Sequence, residues 1–138
     1  MSTVIHPDNF NSEIPEGDDH ERMVCTDCGF IAYENPKIIA GSVVMYGDRV
    51  LLCKRAIHPQ KGKWTLPAGF LEMGETPAEG AMREAWEEAC AKIEIVDLLA
   101  VYTVKRISQV QMFYRAILPE AAFEPGPESL DVALFDWA

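Results

Sequence analysis

A run of glutamates between Gly69 and Ala91 constrains this chain more than any other feature. The run holds six glutamates and one basic residue, Arg83, so its net charge is −5, half of the formal −10 of the whole chain. The tetrapeptide TPAE at residues 76–79 is typical of a capping box, in which the threonine is the N-cap and the proline opens the first turn. Good helix formers continue to about Ala91, so the pattern predicts one amphipathic helix.

Three carboxylates of this helix crowd one another. Glu84, Glu87 and Glu88, the box glutamates below, are i, i+3 and i+4 neighbours within an arc of about 100°. Such like charges destabilise a helix, and glutamates in its last turns also oppose the dipole. Because carboxylates are the ligands that Mg²⁺ and Mn²⁺ prefer, the pattern favours a metal site over an ordinary solvated face. The opposite arc is expected to be buried, and it consists of Ala78, Met82, Ala85, Trp86, Ala89 and Ile93.

The same run resembles the signature of a known enzyme family. Gly69, Glu75 and the sequence REAWEE at residues 83–88 match the Nudix box, G-x5-E-x7-R-E-U-x-E-E-x-G-U, where U is a bulky aliphatic residue. Small alanines fill both aliphatic positions, and Cys90 stands where the box has its second glycine. That glycine lets the chain leave the helix in a left-handed conformation, which a cysteine adopts only at a cost. The departure therefore concerns the helix exit and not the metal ligands.

The resemblance implies a fold, a reaction and a set of site residues. The fold is the Nudix α/β/α sandwich with a mixed sheet. The reaction is hydrolysis of a P–O–P linkage with Mg²⁺ or Mn²⁺ as the cofactor. Arg83 would pair with Glu75 to hold the loop against the helix, and the metal ligands would be Glu84, Glu87, Glu88 and the backbone carbonyl of Gly69.

Residues outside the run are candidates for the general base and for phosphate binding. Family members often carry the base in a loop before a late strand, and Glu128 has that position here, although it is also a typical turn residue. Glu124, Glu120 or one of the box glutamates are the alternatives. Arg55, Lys63 and Lys54 are candidates for contacts with substrate phosphates, or else ordinary surface charges.

Hydrophobic periodicity predicts strands around the helix. Residues 38–46 and 49–55 form a predicted hairpin around Gly47-Asp48, and residues 56–63 form a polar loop. Further strands are predicted at residues 98–104, 110–118 and 130–137. Periodicity alone indicates a mixed α/β domain, which agrees with the sandwich.

The N-terminal segment resembles the second half of a zinc ribbon found in NADH pyrophosphatase-like Nudix proteins and plant FAD pyrophosphatases. Cys25 and Cys28 have knuckle spacing, whereas a closed zinc site takes four ligands and no earlier C-x-x-C is present. His6 and His20 are candidates to complete a Zn²⁺ site, and a redox pair is a third reading. We favour a metal-free remnant, with residues 1–36 as a partial ribbon and 37–138 as the Nudix hydrolase domain.

The composition of the chain limits which classes of binding partner and which cellular compartment are expected. A pI near 4.6 argues against binding to nucleic acid or to an anionic membrane. The chain has no membrane-length apolar stretch and no signal-peptide pattern, so we expect a cytoplasmic protein. The expected partner is a small-molecule nucleotide, and a homodimer is left open.

Substrate identity depends on residues outside the box. The tract PGPESL at residues 125–130 looks most like FAD-cleaving relatives. FAD, ADP-ribose or an NADH-like dinucleotide is therefore the first expectation. A nucleotide-sanitising (d)NTP pyrophosphohydrolase is the second, and a non-catalytic nucleotide-binding regulator is the alternative from another class.

The C-terminal end is the last feature that bears on the fold. The chain stops at Ala138, where relatives continue into a second helix that packs on the sheet. The domain is therefore either naturally short or truncated. A truncated domain would leave one sheet face to be covered by a partner or exposed to water.

Overall fold

The computed structural model describes residues 9–137, which form two compact units that divide between Asn35 and Pro36. The first unit is a small antiparallel sheet in the order β1-β2-β3. Its strands are β1 (Phe10–Glu13), β2 (Arg22–Cys25) and β3 (Ile31–Ala32). Arg22 stabilises this unit, since its Nε lies 3.0 Å from Oδ2 of Asp18 and its guanidinium lies 5.4 Å from the ring centroid of Tyr33.

The second unit is a mixed sheet with one α-helix on it. The strand order is β10-β5-β4-β9-β8, with β6 paired to β5 and β7 paired to β4. Only β4 and β9 pair in parallel, and the remaining pairs are antiparallel. The elements are β4 (Lys37–Tyr46), β5 (Arg49–Arg55), β6 (Trp64–Thr65), β7 (Ala68–Phe70), α1 (Pro77–Ala89), β8 (Glu94–Val104), a 3-10 turn (Lys105–Ile107), β9 (Gln109–Ile117) and β10 (Ser129–Asp136). The predicted α/β class and the predicted hairpin are confirmed.

Helix α1 begins where the sequence predicts. The Glu79 N–H donates to Oγ1 of Thr76 at 3.1 Å, and the Thr76 N–H donates to Oε1 of Glu79 at 3.0 Å, so both halves of the capping box are present. The helix ends at Ala89, two residues before the predicted end.

The predicted buried face of α1 is partly wrong. Met82 is 38% exposed and Trp86 is 51% exposed, with Nζ of Lys92 5.9 Å from the Trp86 ring centroid. The helix instead packs on the sheet through its smallest residues, because these let the two backbones approach closely. The buried residues of α1 are Gly80, Ala81, Glu84, Ala85 and Ala89. One carboxylate is therefore part of the packed face.

The core lies between α1 and the sheet, around Val44, Leu51 and Cys53. Within residues 9–137 no second helix covers the other sheet face, so the described part supplies one of the two helical layers of the expected sandwich. On that face Trp64 and Phe135 pack edge to face at 4.9 Å and are each 37% exposed. No helix among the described residues has the length and apolar character needed to cross a membrane.

Cys90 ends the helix in the same left-handed conformation that the second glycine of the box would provide. It adopts a left-handed conformation, with φ 49° and ψ 33°, and its N–H donates to the carbonyl of Trp86 at 2.9 Å. The side chain of Cys90 is half-buried, whereas that of Cys53 is buried in the core.

Cys90→Gly is therefore expected to stabilise the protein. A left-handed residue with a Cβ is strained by roughly 1–2 kcal/mol, and glycine's greater freedom in the unfolded chain offsets part of that gain. We expect the free energy of unfolding to rise by about 1 kcal/mol in urea denaturation. Cys90→Ala is the matched control, because it removes the thiol but keeps the Cβ. An equal gain in both variants would contradict the explanation.

Candidate active site

A cleft of about 810 Å³ opens beside α1. Its lining comes from α1, β4, β6, β7 and β9, from the end of β5, and from the loops that follow β5 and precede β10. The cleft brings together eight of the residues predicted in the Nudix-like part of the chain. These are Arg55, Lys63, Gly69, Arg83, Glu84, Glu87, Glu88 and Glu128.

Arg83 is the centre of an ion-pair network at this cleft. Its Nη2 and Nε lie 2.7 Å and 3.0 Å from the two carboxylate oxygens of Glu75, so the predicted pair is present and bidentate. Nη2 also donates to the carbonyl of Phe70 at 3.0 Å. Nη1 donates to Glu84 at 2.8 Å and to Glu87 at 3.1 Å. The bonds to Glu75 raise the pKa of Arg83 and lower that of Glu75, so both groups stay charged.

Glu84 and Glu88 reach from α1 to β7. The Glu84 carboxylate packs against Gly69 and occupies the space that a Cβ would fill there. Oε2 of Glu88 accepts the N–H of Ala68 at 3.0 Å. Both carboxylates are thereby held between the helix and the strand, which explains why a glycine is needed at position 69.

The pKa values of these two carboxyls are raised. Burial is the largest cause for Glu88, and repulsion from Glu84 and Glu128 adds to it, so its pKa rises to about 8 in spite of the Ala68 N–H. Burial also raises the pKa of Glu84, although the adjacent Arg83 opposes the effect. Arg83 forms ion pairs with three carboxylates, those of Glu75, Glu84 and Glu87, and no ion pair to Glu88 is present among the described residues. Negative charge therefore exceeds positive charge in this carboxylate cluster.

The donor set of the cleft fits Mg²⁺ or Mn²⁺, since it consists of carboxylates and the backbone carbonyl of Gly69. The box glutamates do not converge on one point, because Arg83 draws two of them to itself and Ala68 holds the third. Among residues 9–137, the trio of metal-ligating groups whose atoms lie within 4.8 Å of one another is Asp18, Asp19 and His20, in the other unit. A divalent ion in the cleft would have to compete with Arg83 for carboxylate oxygens.

The raised pKa of Glu88 predicts how the stability of metal-free protein depends on pH. Its folded value of about 8 lies above the value of about 4.3 in an unfolded chain, so the folded state holds the proton more tightly. This contribution is complete below the unfolded value and is lost as the pH rises through 8. We expect the free energy of unfolding in EDTA to fall by roughly 2 kcal/mol between pH 6 and pH 8. Glu88→Gln should flatten that slope; an unchanged slope would contradict the prediction.

The loop between β9 and β10 closes onto the last turn of α1. The Gly126 N–H and Oγ of Ser129 both donate to the carbonyl of Glu88, at 3.0 Å and 2.8 Å. Gly126 lies so close that a Cβ there would overlap the carbonyl oxygen of Glu87. These contacts satisfy carbonyls that a helix leaves free at its C-terminus. They also fix the position of the loop that carries Glu128.

Glu128 is exposed and lines the cleft, and its carbonyl accepts the N–H of Ala56 at 2.9 Å. Among the alternative bases the box glutamates also line the cleft, whereas Glu124 and Glu120 do not. The N–H of Glu124 donates to the carbonyl of Ala89 at 2.9 Å, and Glu120 lines a separate hollow beside Trp86. Lys54, the third candidate for phosphate binding, also lies outside the cleft lining, whereas Arg55 and Lys63 are part of it.

The sequence reading missed the neutral part of the cleft. The strand predicted at residues 110–118, which is β9 in the structure, received no role in the site. One face of β9 supplies cleft residues, and it carries Gln109, Gln111 and Phe113. The signal was the alternation of the strand, which places the aromatic Phe113 among the polar residues Gln109, Gln111 and Arg115 on one face.

Cys25 and Cys28 lie in the N-terminal unit. Cys25 ends β2, and the backbone N–H groups of Cys28 and Asp27 lower the pKa of its thiol. The backbone folds as a tight turn, since the Gly29 N–H donates to the carbonyl of Cys25 at 3.0 Å. His20 is exposed and lies 2.6 Å from Asp19, and His6 lies outside the described residues. The described part of this unit thus supplies two thiols, which do not fill a four-coordinate zinc site by themselves.

Comparison with known proteins gives two family matches. The NUDIX domain model matches residues 36–137, and the model described as Nudix N-terminal, a zinc ribbon, matches residues 8–34. The crystal structure of a NUDIX hydrolase from Nitrosomonas europaea is 52% identical, with a TM-score of 0.88, over 93% of this chain and 73% of that one.

Two curated relatives carry functional names. NAD-capped RNA hydrolase NudC from Photobacterium profundum is 30% identical over 144 residues, covering 100% of this chain and 52% of that protein. ADP-ribose pyrophosphatase from Methanocaldococcus jannaschii is 37% identical over 71 residues, 51% of this chain and 42% of that protein. The chain spans about half the length of these two relatives. With the family matches, these findings show that the chain belongs to the Nudix family, and its N-terminal segment places it in the zinc-ribbon, NADH pyrophosphatase-like subgroup.

Proposed function

We propose that this chain hydrolyses a pyrophosphate linkage in a nucleoside diphosphate derivative, with Mg²⁺ or Mn²⁺ held by the box glutamates and the carbonyl of Gly69. One observation carries the proposal. A single cleft of about 810 Å³ combines a carboxylate cluster that lacks positive charge with two basic side chains, Arg55 and Lys63. Such an arrangement suits a polyanionic substrate, because metal ions held by the carboxylates and the two basic side chains can together bind its phosphates.

The residues that line the cleft are assigned different roles in this reaction according to their positions. Glu128 is assigned as the general base, which takes the proton of the attacking water at a carboxylate oxygen. Arg55 and Lys63 bind the non-bridging phosphate oxygens. Nε of Arg55 donates to the carbonyl of Pro59 at 2.9 Å, which orients its guanidinium. The bound ions would neutralise charge on the phosphates and lower the pKa of a bound water.

Arg83 is assigned a positioning role in this reaction. It holds the loop before the helix through Glu75 and Phe70, and it keeps Glu84 and Glu87 at the cleft. Its guanidinium is therefore occupied by the protein and has little capacity left for a phosphate.

The substrate we favour is FAD, ADP-ribose or an NADH-like dinucleotide. The names of the two curated relatives support a substrate that contains a nucleoside diphosphate group. A cleft of this volume, with an uncharged part next to the carboxylates, has room for such a compound beyond its phosphates. A (d)NTP pyrophosphohydrolase is the second candidate.

The experiment is a substrate panel with purified protein. FAD, NADH, ADP-ribose and the (d)NTPs are each incubated with Mg²⁺ or Mn²⁺, and products are separated by chromatography. Our proposal expects a nucleoside monophosphate from a dinucleotide or ADP-ribose, and no product in EDTA. Pyrophosphate release from (d)NTPs alone would support the second candidate. Absence of hydrolysis across the panel would overturn the enzymatic proposal.

We also propose that residues 1–36 are a ribbon remnant that folds without zinc. The Asp18–Arg22 pair at 3.0 Å and the stacking of Arg22 on Tyr33 supply contacts that do not depend on a metal. Arg22 holds the pKa of Asp18 down at about 2, so the pair stays charged at neutral pH. We expect elemental analysis to find well under one zinc per chain. One equivalent that is lost in Cys28→Ser would contradict this proposal.

A further inference from the structure

The cleft has an uncharged part that the chemistry of pyrophosphate cleavage does not use. Its side chains come from three adjacent strands, β9, β4 and β7. They are Gln109, Gln111, Phe113, Ile39 and Phe70. The inference drawn from this surface rests on the proposed function, because it concerns the part of the substrate that lies beyond the phosphates.

Strand register fixes where this surface lies relative to the metal site. Gln111 is opposite Ile39, and Ile39 is opposite Phe70, so the three side chains form one row across the sheet. Two interstrand spacings separate Gln111 from β7, which is a distance of about 10 Å. Strand β7 also carries Gly69 and Ala68, the contacts of Glu84 and Glu88. Gly69 faces Glu84, so Phe70 projects to the opposite face of β7, and the row from Phe70 to Gln111 lines another part of the same cleft as the carboxylates.

Phe113 supplies a flat surface beside this row. Gly41 is opposite Phe113, and a Cβ at Gly41 would lie 2.7 Å from Cε1 of the Phe113 ring and 2.6 Å from the Cβ of Ala68. The ring therefore lies over the backbone of Gly41, in space that any other residue would fill. The ring is half-buried and still lines the cleft, so it offers a stacking surface for a planar group.

Gln111 presents a hydrogen-bonding edge next to that surface. Its Nε2 donates to Oε1 of Gln109 at 3.4 Å, and among residues 9–137 its amide has no other hydrogen bond. The amide therefore keeps one N–H donor and its carbonyl acceptor side by side. This pair matches adenine, which offers N7 as an acceptor and the 6-amino group as a donor. Hypoxanthine has an oxygen at position 6 instead of an amino group. Two acceptors, this oxygen and the carbonyl oxygen of the Gln111 amide, would then face each other without a hydrogen between them.

We propose that Gln111 is a specificity-determining residue that reads the 6-amino edge of an adenine stacked on Phe113, with Gln109 holding its amide in place. A bidentate amide–adenine pair discriminates against the wrong base by roughly 1–3 kcal/mol, which is about 5- to 150-fold. The wild-type enzyme should therefore prefer adenine over hypoxanthine forms of the same substrate, such as ADP-ribose over IDP-ribose.

The test compares kcat and KM for the adenine and hypoxanthine forms of whichever panel compound is cleaved. We expect an adenine preference of at least about fivefold in wild-type protein. Gln111→Leu should reduce it to within about twofold, through a higher KM for the adenine form. Phe113→Leu is the matched control, since it removes stacking for both bases and should raise both KM values while keeping the ratio. Circular dichroism checks that both variants are folded.

The outcomes separate this inference from the proposed function. Hydrolysis of both forms at equal kcat/KM, or a preference that survives in Gln111→Leu, would overturn the role of Gln111 and leave the reaction intact. If nothing is hydrolysed, binding of AMP and IMP is measured by calorimetry instead. A preference for AMP that Gln111→Leu abolishes would then support the base-reading role without the reaction, and equal binding would refute it.

Discussion

Glu88→Gln is expected to lower kcat/KM for hydrolysis of the pyrophosphate linkage by at least about 100-fold, because it removes the charge of a proposed metal ligand while keeping the shape of the side chain. Glutamine preserves an oxygen that accepts the Ala68 N–H, now at 3.0 Å. The fold should therefore survive. In metal-free protein at pH 8 the variant should even be the more stable one, since the buried charge that raises the pKa of Glu88 to about 8 is gone.

Three measurements make this result specific. Mn²⁺ should raise the melting temperature of the wild type but have little effect on Glu88→Gln. Glu79→Gln is the matched control on the same helix, because a capping box accepts glutamine as well as glutamate. Its activity should stay within about twofold of wild type. Activity of Glu88→Gln within twofold of wild type would show that Glu88 is not a metal ligand.

Gly126→Ala is expected to have the largest structural effect of a single methyl group in this chain. Its Cβ would overlap the carbonyl oxygen of Glu87, which belongs to the helix backbone and has little freedom to move. The loop would have to lift from α1 and lose the bonds to the carbonyl of Glu88 at 3.0 Å and 2.8 Å. We expect the free energy of unfolding to fall by about 3 kcal/mol in urea denaturation.

The same substitution tests the position of the general base. Lifting the loop displaces Glu128, so kcat of Gly126→Ala should fall at least tenfold, within the range of about 10² to 10⁴ that general bases contribute. Ser129→Ala is the control, since it removes one hydrogen bond without the clash and should lower stability by about 1 kcal/mol. Wild-type kcat in both Gly126→Ala and Glu128→Gln would place the base elsewhere.

Local chemistry explains which parts of the fold could be predicted from the sequence. The start of α1 follows from Thr76 and Glu79, and the hairpin follows from the turn at Gly47 between two apolar runs. The Arg83–Glu75 pair came from the resemblance to the box and is present at 2.7 Å. Each of these depends on residues close in the chain or on a long, specific motif.

The features that could not be predicted depend on long-range packing. The sequence of α1 has small apolar residues and large apolar residues on neighbouring arcs, so either arc could face the sheet. Because the helix lies close to the sheet, the small alanines are buried and Trp86 remains 51% exposed. The burial of Glu84 requires knowledge that Gly69 lies beneath it. The contacts of Gly126 are of the same kind, since a glycine in a Pro-rich loop indicates a turn and gives no sign of a helix on which it packs.

The parallel pairing of β4 with β9 determines at which stage of folding the cleft forms. Lys37 pairs with Gln109 and Met45 with Ile117, so no hairpin can start this ladder, and the whole segment that contains α1 must be gathered first. Gln111 and Phe113 meet Ile39 and Gly41 only through that ladder. A refolding chain should thus recover its hairpin and helix early and the lining of its cleft late. Stopped-flow circular dichroism, followed alongside recovery of activity, would resolve the two events in time.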